Sequence, residues 1–344
     1  MLKANAYGHG AVKCALICQQ HGIDYIGVAC ANEGAMLRDL GVTMPILVFG
    51  VCLGSDIDTA IERGLAQTVG SVVCAKDISA TASRLNKVAE VHIEIDTGMA
   101  WIGFAPNDGG ALGIKTIAQL PNMNITGAFS HLATSDWEDR TFANEQLAKF
   151  TSFCERLSQE GLHIQFRHIS NSGGILDGVD RFGLSMARAG ISLYGLPSNS
   201  TAQGAAKMAA MGFLPVLALK SKIACVRELN AEESVGYSRT YFTNKPTKIA
   251  VVSAGYADGY SRLLSNKGRV LINGEYANVV GNVCMDHFMV DITHIQNVKP
   301  NTDVVLIGEQ NGNTITAEEL AGHCGTINYE IVTGISERVP RVFI

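Results

Sequence analysis

The chain has 344 residues, a formal net charge of −5, 47% hydrophobic residues and only 17% charged residues. Since soluble domains average about 25% charged residues, the composition indicates a large interior, and the length fits two domains or one large barrel with an appendage. The acidic balance disfavours a nucleic-acid partner, and no apolar run approaches the ~18 residues that a membrane helix needs.

The sequence begins with Met1, Leu2 and Lys3 and lacks the charged and apolar regions of a signal peptide. Nine cysteines, an odd number at irregular spacing, predict no disulfide framework, and no His/Cys cluster with zinc spacing is present. Thiols that need not pair suggest a reducing compartment, so we expect a cytoplasmic protein without a metal site.

From residue 11 to residue 195, short apolar segments alternate with segments of helical periodicity, which predicts a parallel sheet. Helices are predicted over residues 31–40 and 141–160, because a glycine, a common helix stop, follows each segment directly. Strands are predicted at residues 23–28, 45–49, 66–70, 90–96, 124–131, 163–170 and 185–190.

Seven such units, with a stub of an eighth strand at residues 1–3, predict an α/β fold: a (β/α)8 TIM-type barrel with a truncated first strand. An open doubly wound sheet is the alternative. The barrel is favoured because no Gly-x-Gly-x-x-Gly motif follows a strand, as a dinucleotide-binding fold would usually show.

After about residue 212 the sequence predicts a mostly antiparallel β domain, in which Asn273-Gly274 signals a two-residue hairpin. One helix is predicted at residues 316–321. Strands are predicted at residues 216–229, 247–254, 270–272, 275–280, 289–292 and 303–307. The predicted domains are therefore an α/β barrel over residues 1–212 and a β domain over residues 213–344.

The active site of such a barrel lies at the carboxyl ends of its strands, where Lys3, His131 and Arg188 are expected to meet. On the same rim, Ser172 and Gly190 could present backbone N–H groups to a phosphate. A desolvated or cation-flanked lysine is a nucleophile toward carbonyls, so this rim suggests an imine-forming lysine and pyridoxal 5'-phosphate. The alternative is that Lys3 is a frayed surface residue near a terminus.

The chain resembles the alanine racemases, a pyridoxal-phosphate-dependent family of fold type III, whose signature is similar to Lys3-Ala4-Asn5-Ala6-Tyr7-Gly8-His9-Gly10. The resemblance continues in order through Asp96-Thr97-Gly98-Met99, Ser130-His131, Asn171-Ser172, Arg188-Ala189-Gly190-Ile191, Gly236-Tyr237, Gly255-Tyr256-Ala257-Asp258-Gly259, Cys284-Met285-Asp286 and Thr326-Ile327-Asn328-Tyr329-Glu330. It implies interconversion of L-alanine and D-alanine, supply of D-alanine for peptidoglycan, and a head-to-tail homodimer with shared active sites.

The resemblance makes Lys3 and the partner subunit's Tyr237 the catalytic pair, which moves protons on opposite faces of the substrate Cα. It places Arg188 at the pyridine nitrogen of the cofactor, which stays unprotonated because arginine does not give up its proton. Without the family context, Tyr237 reads as a turn tyrosine and Arg188 as a salt-bridged arginine on the rim.

The remaining site residues implied by the resemblance contact the cofactor or the substrate. The cofactor-binding residues are Lys3, Tyr7, His131, Asn171, Ser172, Arg188, Gly190, Ile191 and Tyr329. Met285 would bind the substrate carboxylate through its N–H, and Tyr256 with Tyr329 would narrow the entrance to suit a methyl side chain. Each role has a structural alternative. His131 would be a hydrogen-bonded core histidine, Ser172 and Gly190 would be ordinary turn residues, and Met285 would be a core methionine.

Two positions depart from the family pattern. Trp101 stands where the family usually has an arginine at the substrate carboxylate, and an indole forms no bidentate carboxylate pair. Glu94 stands where many members have a carbamylated lysine, so it would supply a negative charge without that modification. Our hypothesis is that the two positions changed together. Trp101 would then lie at the substrate site, and the substrate carboxylate would be bound by the Met285 N–H and another cation.

The family also carries a leader of several tens of residues before the lysine, and this sequence has only two residues there. An unclosed barrel would expose strand edges and leave Lys3 on a frayed end. A start site placed too far downstream would explain the difference, with a degenerate fragment as the alternative. Other functions left open are a serine or broad-specificity racemase and a weakly active or silent pyridoxal-phosphate-binding relative.

Overall fold

The computed structural model describes residues 1–177 and 184–344, which divide into two compact units, unit 1 (residues 1–193) and unit 2 (residues 194–344). Unit 1 contains α1 (Lys3–Tyr7), α2 (Ala11–Gln20), β1 (Ile26–Val28), α3 (Ala31–Asp39), β2 (Ile46–Val48), α4 (Ser55–Glu62), β3 (Ala66–Val69), α5 (Val72–Arg84), β4 (Ala89–Glu94), α6 (Asp108–Ala118), β5 (Met123–Phe129), α7 (Thr141–Gln159), β6 (Phe166–His168) and α8 (Ser172–Asp177). The domain boundary after residue 212 stays a prediction.

Unit 1 is built on a curled parallel sheet whose six strands lie in chain order from β1 to β6. Strands β1, β2 and β3 are buried along their whole length, because a parallel sheet is covered on both faces. The predicted α/β barrel architecture is thereby confirmed. The predicted helices over residues 31–40 and 141–160 are α3 and α7, each one residue shorter than expected.

The strand predicted at residues 185–190 is wrong, since no strand is assigned there. The segment still lies beside β6, because Ser185 N–H donates to the Arg167 carbonyl at 3.1 Å and Arg188 N–H to the Ser170 carbonyl at 3.0 Å. Its far side accepts a 2.8 Å bond at the Ala189 carbonyl from the amino group of Met1. Irregular backbone thus occupies the place of the seventh strand.

Residues 1–3 do not form a strand either, yet they complete the ring of backbone around unit 1. Leu2 N–H donates to the Gly27 carbonyl of β1 at 2.7 Å, and the Leu2 side chain is 1% exposed. The expectation of a frayed start with open strand edges is therefore wrong for this structure, in which the stub links β1 to residues 185–190.

Unit 2 contains α9 (Ala202–Ala210), β7 (Leu219–Leu229), β8 (Ser234–Val235), β9 (Tyr241–Phe242), β10 (Thr247–Val252), β11 (Arg269–Ile272), β12 (Glu275–Asn278), β13 (Phe288–Asp291), β14 (Asp303–Gln310), β15 (Asn313–Ile315), α10 (Ala317–Cys324) and α11 (Asn328–Thr333). Its main sheet is antiparallel, in the order β12-β11-β14-β7-β10-β13, with β15 paired to β14. The prediction of an antiparallel β region is confirmed.

The predicted hairpin at Asn273-Gly274 is also confirmed. Ile272 of β11 pairs with Glu275 of β12, and both turn residues have positive φ, +54° and +85°. These angles fit a type I′ turn, whose twist matches that of antiparallel strands. No helix among the described residues is long and apolar enough to cross a membrane.

Candidate active site

The guanidinium of Arg188 is held deep in unit 1 by acceptors at the carboxyl ends of β5 and β6. It is 6% exposed, and it donates to the carbonyls of Ser130 and Ile169 at 2.7 and 3.0 Å. Nη1 lies 2.7 Å from His168 Nδ1, and Nη2 lies 3.2 Å from His131 Nδ1. Because arginine only donates, both imidazole Nδ1 atoms must be unprotonated acceptors.

A chain of imidazoles continues from Arg188 into the interior of unit 1. His168 Nε2 lies 2.9 Å from His92 Nδ1, and both side chains are fully buried. Burial, followed by the charge of Arg188, lowers the pKa of His92 to about 4 and the pKa of His168 well below its usual value. Both rings are therefore neutral at pH 7, and His168 donates its Nε2 proton to His92.

His131 is a neutral imidazole on the rim. Burial, then Arg188 and Lys3, lowers its pKa to about 3. Its ring centroid lies 5.6 Å from that of Trp101, and its Nε2 lies 3.3 Å from Asn171 Nδ2. His131 is neutral, and its Nδ1 is already bound to Arg188. It therefore offers a ligand an uncharged aromatic surface for stacking.

Gln146 of α7 holds the backbone on both sides of His131, a role that the sequence reading missed. Its Oε1 accepts from Ala133 N–H at 2.9 Å, and its Nε2 donates to the His131 carbonyl at 2.8 Å and to Thr97 Oγ1 at 3.3 Å. The side chain is fully buried. An amide on the apolar face of an amphipathic helix, between Ala143 and Leu147, is the signal that would have revealed it.

Lys3 begins α1, which winds left-handed. The four following residues, Ala4, Asn5, Ala6 and Tyr7, have φ between +52° and +55°. Such a turn is strained for residues with a Cβ, at about 1–2 kcal/mol each. Burial is the main cause that lowers the pKa of Lys3, a smaller contribution comes from Arg188, and Glu33 opposes both. The site therefore favours the neutral amine more than water does.

Tyr7, Ser172 and Gly190 form a cradle of small size. Ser172 Oγ accepts from Gly190 N–H at 2.9 Å and from Ser192 N–H at 3.2 Å. A Cβ added to Gly190 would lie 3.0 Å from the Tyr7 hydroxyl oxygen and 3.3 Å from Ser172 Oγ. Burial raises the pKa of Tyr7 to about 12, so its hydroxyl keeps a proton to donate. This set of donors, followed by the buried Ile191, suits a phosphate group.

Glu94 and Trp101 contact each other directly. Trp101 Nε1 donates to Glu94 Oε1 at 3.0 Å, while the Trp101 side chain stays 59% exposed. Burial raises the pKa of Glu94 to about 7, although the bond from Trp101 and the charge of Arg188 oppose the rise. Glu94 thus carries a full negative charge only above neutral pH, which corrects the expectation of a simple replacement anion. Trp101 and Asp96 both line an open cavity of about 580 Å³.

In unit 2 the candidate reactive residues lie on exposed turns. Tyr237 is 74% exposed and follows Gly236, whose φ of +72° sets the turn between β8 and β9. Asn282 Nδ2 donates to the Tyr237 carbonyl at 2.8 Å. The backbone is therefore fixed while the phenol points away from the core of this unit.

The turns that carry Tyr256 and Met285 are joined to each other. Tyr256 N–H donates to the Cys284 carbonyl at 3.0 Å, and Arg338 bridges Asp258 and Asp286 with two bonds of 2.7 Å. Met285 is 54% exposed. Its N–H donates to no residue within the described ranges 1–177 and 184–344, so it is available to a ligand.

Tyr329 is the second residue of α11. The preceding Asn328 is fully buried, and its Nδ2 donates to the Pro197 carbonyl at 2.9 Å and to Glu318 Oε1 at 2.7 Å. This buried anchor fixes the start of the helix and so the position of Tyr329, whose ring is half-buried.

Comparison with known proteins places the whole chain in one group. The family model described as alanine racemase, N-terminal domain, matches residues 1–198, and the alanine racemase, C-terminal domain, matches residues 216–343. The chain belongs to the alanine racemase family. It is 44% identical to the alanine racemase of Clostridium perfringens strain SM101, over 100% of this chain and 88% of that one.

Solved structures agree with this family. The alanine racemase of Clostridium difficile 630 aligns with a TM-score of 0.91 at 37% identity, over 98% of this chain and 86% of that one. The alanine racemase of Bacillus anthracis with bound L-Ala-P aligns with a TM-score of 0.90 at 34% identity, over 100% and 87%. The chain is thus an isomerase, an amino-acid racemase.

The structure distributes the predicted site residues of this racemase between its units. Unit 1 holds Lys3, Tyr7, Trp101, His131, Asn171, Ser172, Arg188, Gly190 and Ile191, and unit 2 holds Tyr237, Tyr256, Met285 and Tyr329. Their individual roles remain predictions. Gln146, His168, His92, Glu33 and Arg338 support them without having been predicted from the sequence.

Proposed function

We propose that this racemase interconverts L-alanine and D-alanine on pyridoxal 5'-phosphate, with Lys3 as its covalent attachment point. The observation that carries the proposal is a partly desolvated lysine in the same unit as a cluster of phosphate-binding donors at Tyr7, Ser172 and Gly190 and a buried arginine with a fixed orientation. Each feature alone is common. Together they match the three ends of that cofactor: its carbonyl, its phosphate and its ring nitrogen.

The residues of unit 1 carry donors that fit the cofactor, and a bound phosphate would replace Ser172 Oγ as the acceptor of the Gly190 N–H. The hydroxyls of Tyr7 and Ser172 and the N–H groups at Gly190 and Ile191 would hold the phosphate, and the neutral ring of His131 would lie against the pyridine ring with Asn171 behind it. When bound, pyridoxal phosphate supplies an electron sink for negative charge on the substrate Cα.

Arg188 would tune that electron sink. Its guanidinium keeps its proton at any accessible pH, and its contacts with Ser130, Ile169, His131 and His168 fix the direction of its N–H groups. It can therefore donate a hydrogen bond to a ring nitrogen but transfers no proton to it. A weaker electron sink shortens the life of the negative charge on Cα and limits side reactions.

Two residues would move the proton at the substrate Cα. The amine of Lys3 acts on one face, and its lowered pKa leaves more of it neutral and ready to accept a proton. The Tyr237 hydroxyl acts on the other face. Because Tyr237 is 74% exposed on its own turn, we propose that it serves the active site of a partner subunit in a head-to-tail homodimer.

The substrate carboxylate would bind the free N–H of Met285, and Tyr256 with Tyr329 would limit the side chain to a methyl group. Trp101 cannot supply the bidentate contact of an arginine, and its indole N–H is already bound to Glu94. This difference is the observation that keeps a weakly active or silent relative as a second candidate, while serine or broader racemisation stays open as an alternative substrate range. We also propose that the reaction takes place in the cytoplasm and supplies D-alanine for peptidoglycan.

The test is the Tyr237→Phe variant of the full chain, loaded with pyridoxal phosphate and assayed with α-deuterated L-alanine and D-alanine. We expect about 100-fold or greater loss of deuterium release from one enantiomer, since a positioned acid–base group contributes that much. Borohydride-trapped cofactor on Lys3 should be unchanged, and Tyr276→Phe, which loses only a surface bond to Thr314, should behave as the parent.

Retention of deuterium release from both enantiomers in Tyr237→Phe would exclude the two-base reaction. Trapping of cofactor on a lysine other than Lys3 would exclude the proposed attachment. A parallel assay with L-serine separates the two candidate substrates, because a methyl-selective entrance should accept alanine at least tenfold better.

A further inference from the structure

The left-handed turn α1 needs an external support, because its own geometry is unfavourable. Four consecutive residues after Lys3 have positive φ, and only one of them, Asn5, belongs to a type that adopts this conformation readily. The first N–H groups of any helical turn also lack partners within the turn. A residue that holds the beginning of α1 therefore controls the position of Lys3.

Glu33 of α3 provides that support. Its Oε1 accepts from Ala4 N–H at 2.7 Å, and its Oε2 accepts from Ala29 N–H at 2.7 Å. Ala29 directly follows β1, so one carboxylate joins the end of a barrel strand to the start of the turn. Glu33 is the third residue of α3, where a glutamate usually bonds only the N-terminal N–H of its own helix.

We propose that Glu33 is a positioning residue for Lys3: its carboxylate clamps the start of α1 to the end of β1 through the N–H groups of Ala4 and Ala29. The inference rests on the proposed role of Lys3 as cofactor attachment point. Both oxygens are committed to backbone donors, so the carboxylate cannot rotate away, and its charge lies at the N-termini of two helical segments, where an anion is stabilised.

The charge of Glu33 acts on Lys3 as well as on the backbone. It raises the pKa of Lys3 against burial and against Arg188. The other charged or titratable groups that interact with Lys3 are His131 and the amino group of Met1, whose pKa values Lys3 lowers. Without the Glu33 charge, burial and Arg188 both still lower the pKa of Lys3, and the charge that opposes them is gone. The pKa of Lys3 should therefore fall further.

A cap that served α3 alone would give a different result. In that case removal of the carboxylate would loosen α3 and leave the chemistry of Lys3 unchanged. Two substitutions separate these roles. Glu33→Gln keeps the volume but removes the charge and replaces one acceptor with a donor, whereas Glu33→Asp keeps the charge but has a shorter reach.

The experiment uses the full chain, with Asp56→Asn as the matched control, since Asp56 is a carboxylate in the first turn of the neighbouring helix α4. Hydrogen exchange is followed in peptides that contain Ala4 and Ala29. Trapping of pyridoxal phosphate on Lys3 by borohydride is measured as a function of pH, and racemisation is measured as kcat and KM.

For Glu33→Gln we expect exchange about tenfold faster in both peptides, because each amide loses a charged acceptor. The pH midpoint for trapping on Lys3 should move downward, and kcat should fall more than KM rises. Glu33→Asp should restore the pH midpoint but not the slow exchange. Asp56→Asn should leave all three measurements at the parent values.

The proposal is overturned if Glu33→Gln leaves the trapping midpoint and the exchange at Ala4 unchanged, whatever it does to thermal stability. It is also overturned if Asp56→Asn produces the same shift, because the effect would then be a general loss of negative charge. Failure of the parent to racemise alanine would contradict the proposed function only, since exchange and trapping still report on Glu33.

Discussion

The two units keep their candidate reactive residues in opposite surroundings. In unit 1, Arg188 and His131 lie against other polar groups in the interior, and burial displaces the pKa of His131 to about 3. In unit 2, Tyr237 is 74% exposed, Met285 54% and Tyr256 43%, and each is fixed only through its backbone or its turn. Unit 1 sets the protonation states of its candidate residues, whereas unit 2 fixes the backbone positions of its own.

This difference indicates how the two sets of residues acquire their chemistry. Burial and neighbouring charge shift a pKa, so the fold of unit 1 alone prepares Lys3 and His131. Tyr237 is 74% exposed on its own turn, so burial of its phenol has to come from a surface that covers it. The contrast supports the proposed shared active site, and four predictions test it, beginning with the largest expected effect.

The first prediction concerns the buried amide that holds His131. Gln146→Leu keeps the approximate volume but leaves the Ala133 N–H, the His131 carbonyl and the Thr97 hydroxyl without this partner. An unsatisfied buried polar group costs about 1–3 kcal/mol, so the free energy of unfolding should fall by about 3–5 kcal/mol in urea titrations.

Gln159→Leu, on the exposed end of the same helix, is the control and should stay within about 0.5 kcal/mol of the parent. If both variants were equally stable, the interior of unit 1 would not depend on its polar contacts, and the contrast between the units would lose its basis.

The second prediction uses the raised pKa of Glu94. Its pKa is about 7 in the folded chain, above its usual value of 4.5, so folding favours the protonated form. The stabilisation is complete below about pH 4.5 and is lost as the pH rises through 7. At 1.36 kcal/mol per pKa unit, Glu94→Gln, which stays neutral, should gain about 3 kcal/mol relative to the parent across this range.

The measurement is the difference in unfolding free energy between parent and Glu94→Gln at several pH values from 4.5 to 8. Histidines common to both proteins cancel in this difference. A flat difference curve would show that solvent or another cation reaches Glu94, and the carboxylate would then be a permanent anion beside Trp101.

The third prediction concerns the strained turn after Lys3. Ala4 is exposed at φ +52°, so Ala4→Gly should relieve about 1–2 kcal/mol of strain and lose up to about 1 kcal/mol in chain entropy. The net gain is about 0.5–1 kcal/mol by thermal unfolding. Ala4→Val should destabilise, because a β-branched side chain crowds the backbone in this region.

The matched control is Ala80→Gly, in the middle of the right-handed helix α5 on its exposed face. There the same change should cost about 1 kcal/mol. Opposite signs at the two alanines would establish that α1 is left-handed in solution, whereas equal losses would contradict the conformation of the segment that carries Lys3.

Much of the fold could be predicted from periodicity and turn chemistry. Helices α3 and α7 end within one residue of their predicted ends, because Gly41 and Gly161 adopt φ of +90° and +91° just beyond them. The strand at residues 185–190 could not be predicted correctly. The segment does lie beside β6, but its backbone depends on hydrogen bonds to the Arg167 and Ser170 carbonyls, which are distant in sequence.

The supports of the site were less predictable than its motifs. Glu33 reads as an ordinary first-turn glutamate, and its bond to Ala4 crosses 29 residues of sequence. The left-handed α1 has no composition signal, since Ala4 and Ala6 favour right-handed helices. His92 and Glu94 alternate along β4 as polar residues in a buried strand, which was the one local sign of a polar interior.

The last prediction returns to the exposed side of the comparison. Arg338 bridges Asp258 and Asp286, and its side chain is 47% exposed. Exposed ion pairs are worth about 0–1 kcal/mol, so Arg338→Gln should change the free energy of unfolding by less than about 1 kcal/mol. The same change should loosen the turns that carry Tyr256 and Met285, and KM for alanine should rise several-fold with little change in kcat.

Arg63→Gln, which breaks the surface pair with Asp39 in unit 1, is the control and should alter neither KM nor kcat. A large loss of stability with an unchanged KM would mean that unit 2, like unit 1, relies on its charged groups for folding rather than for position.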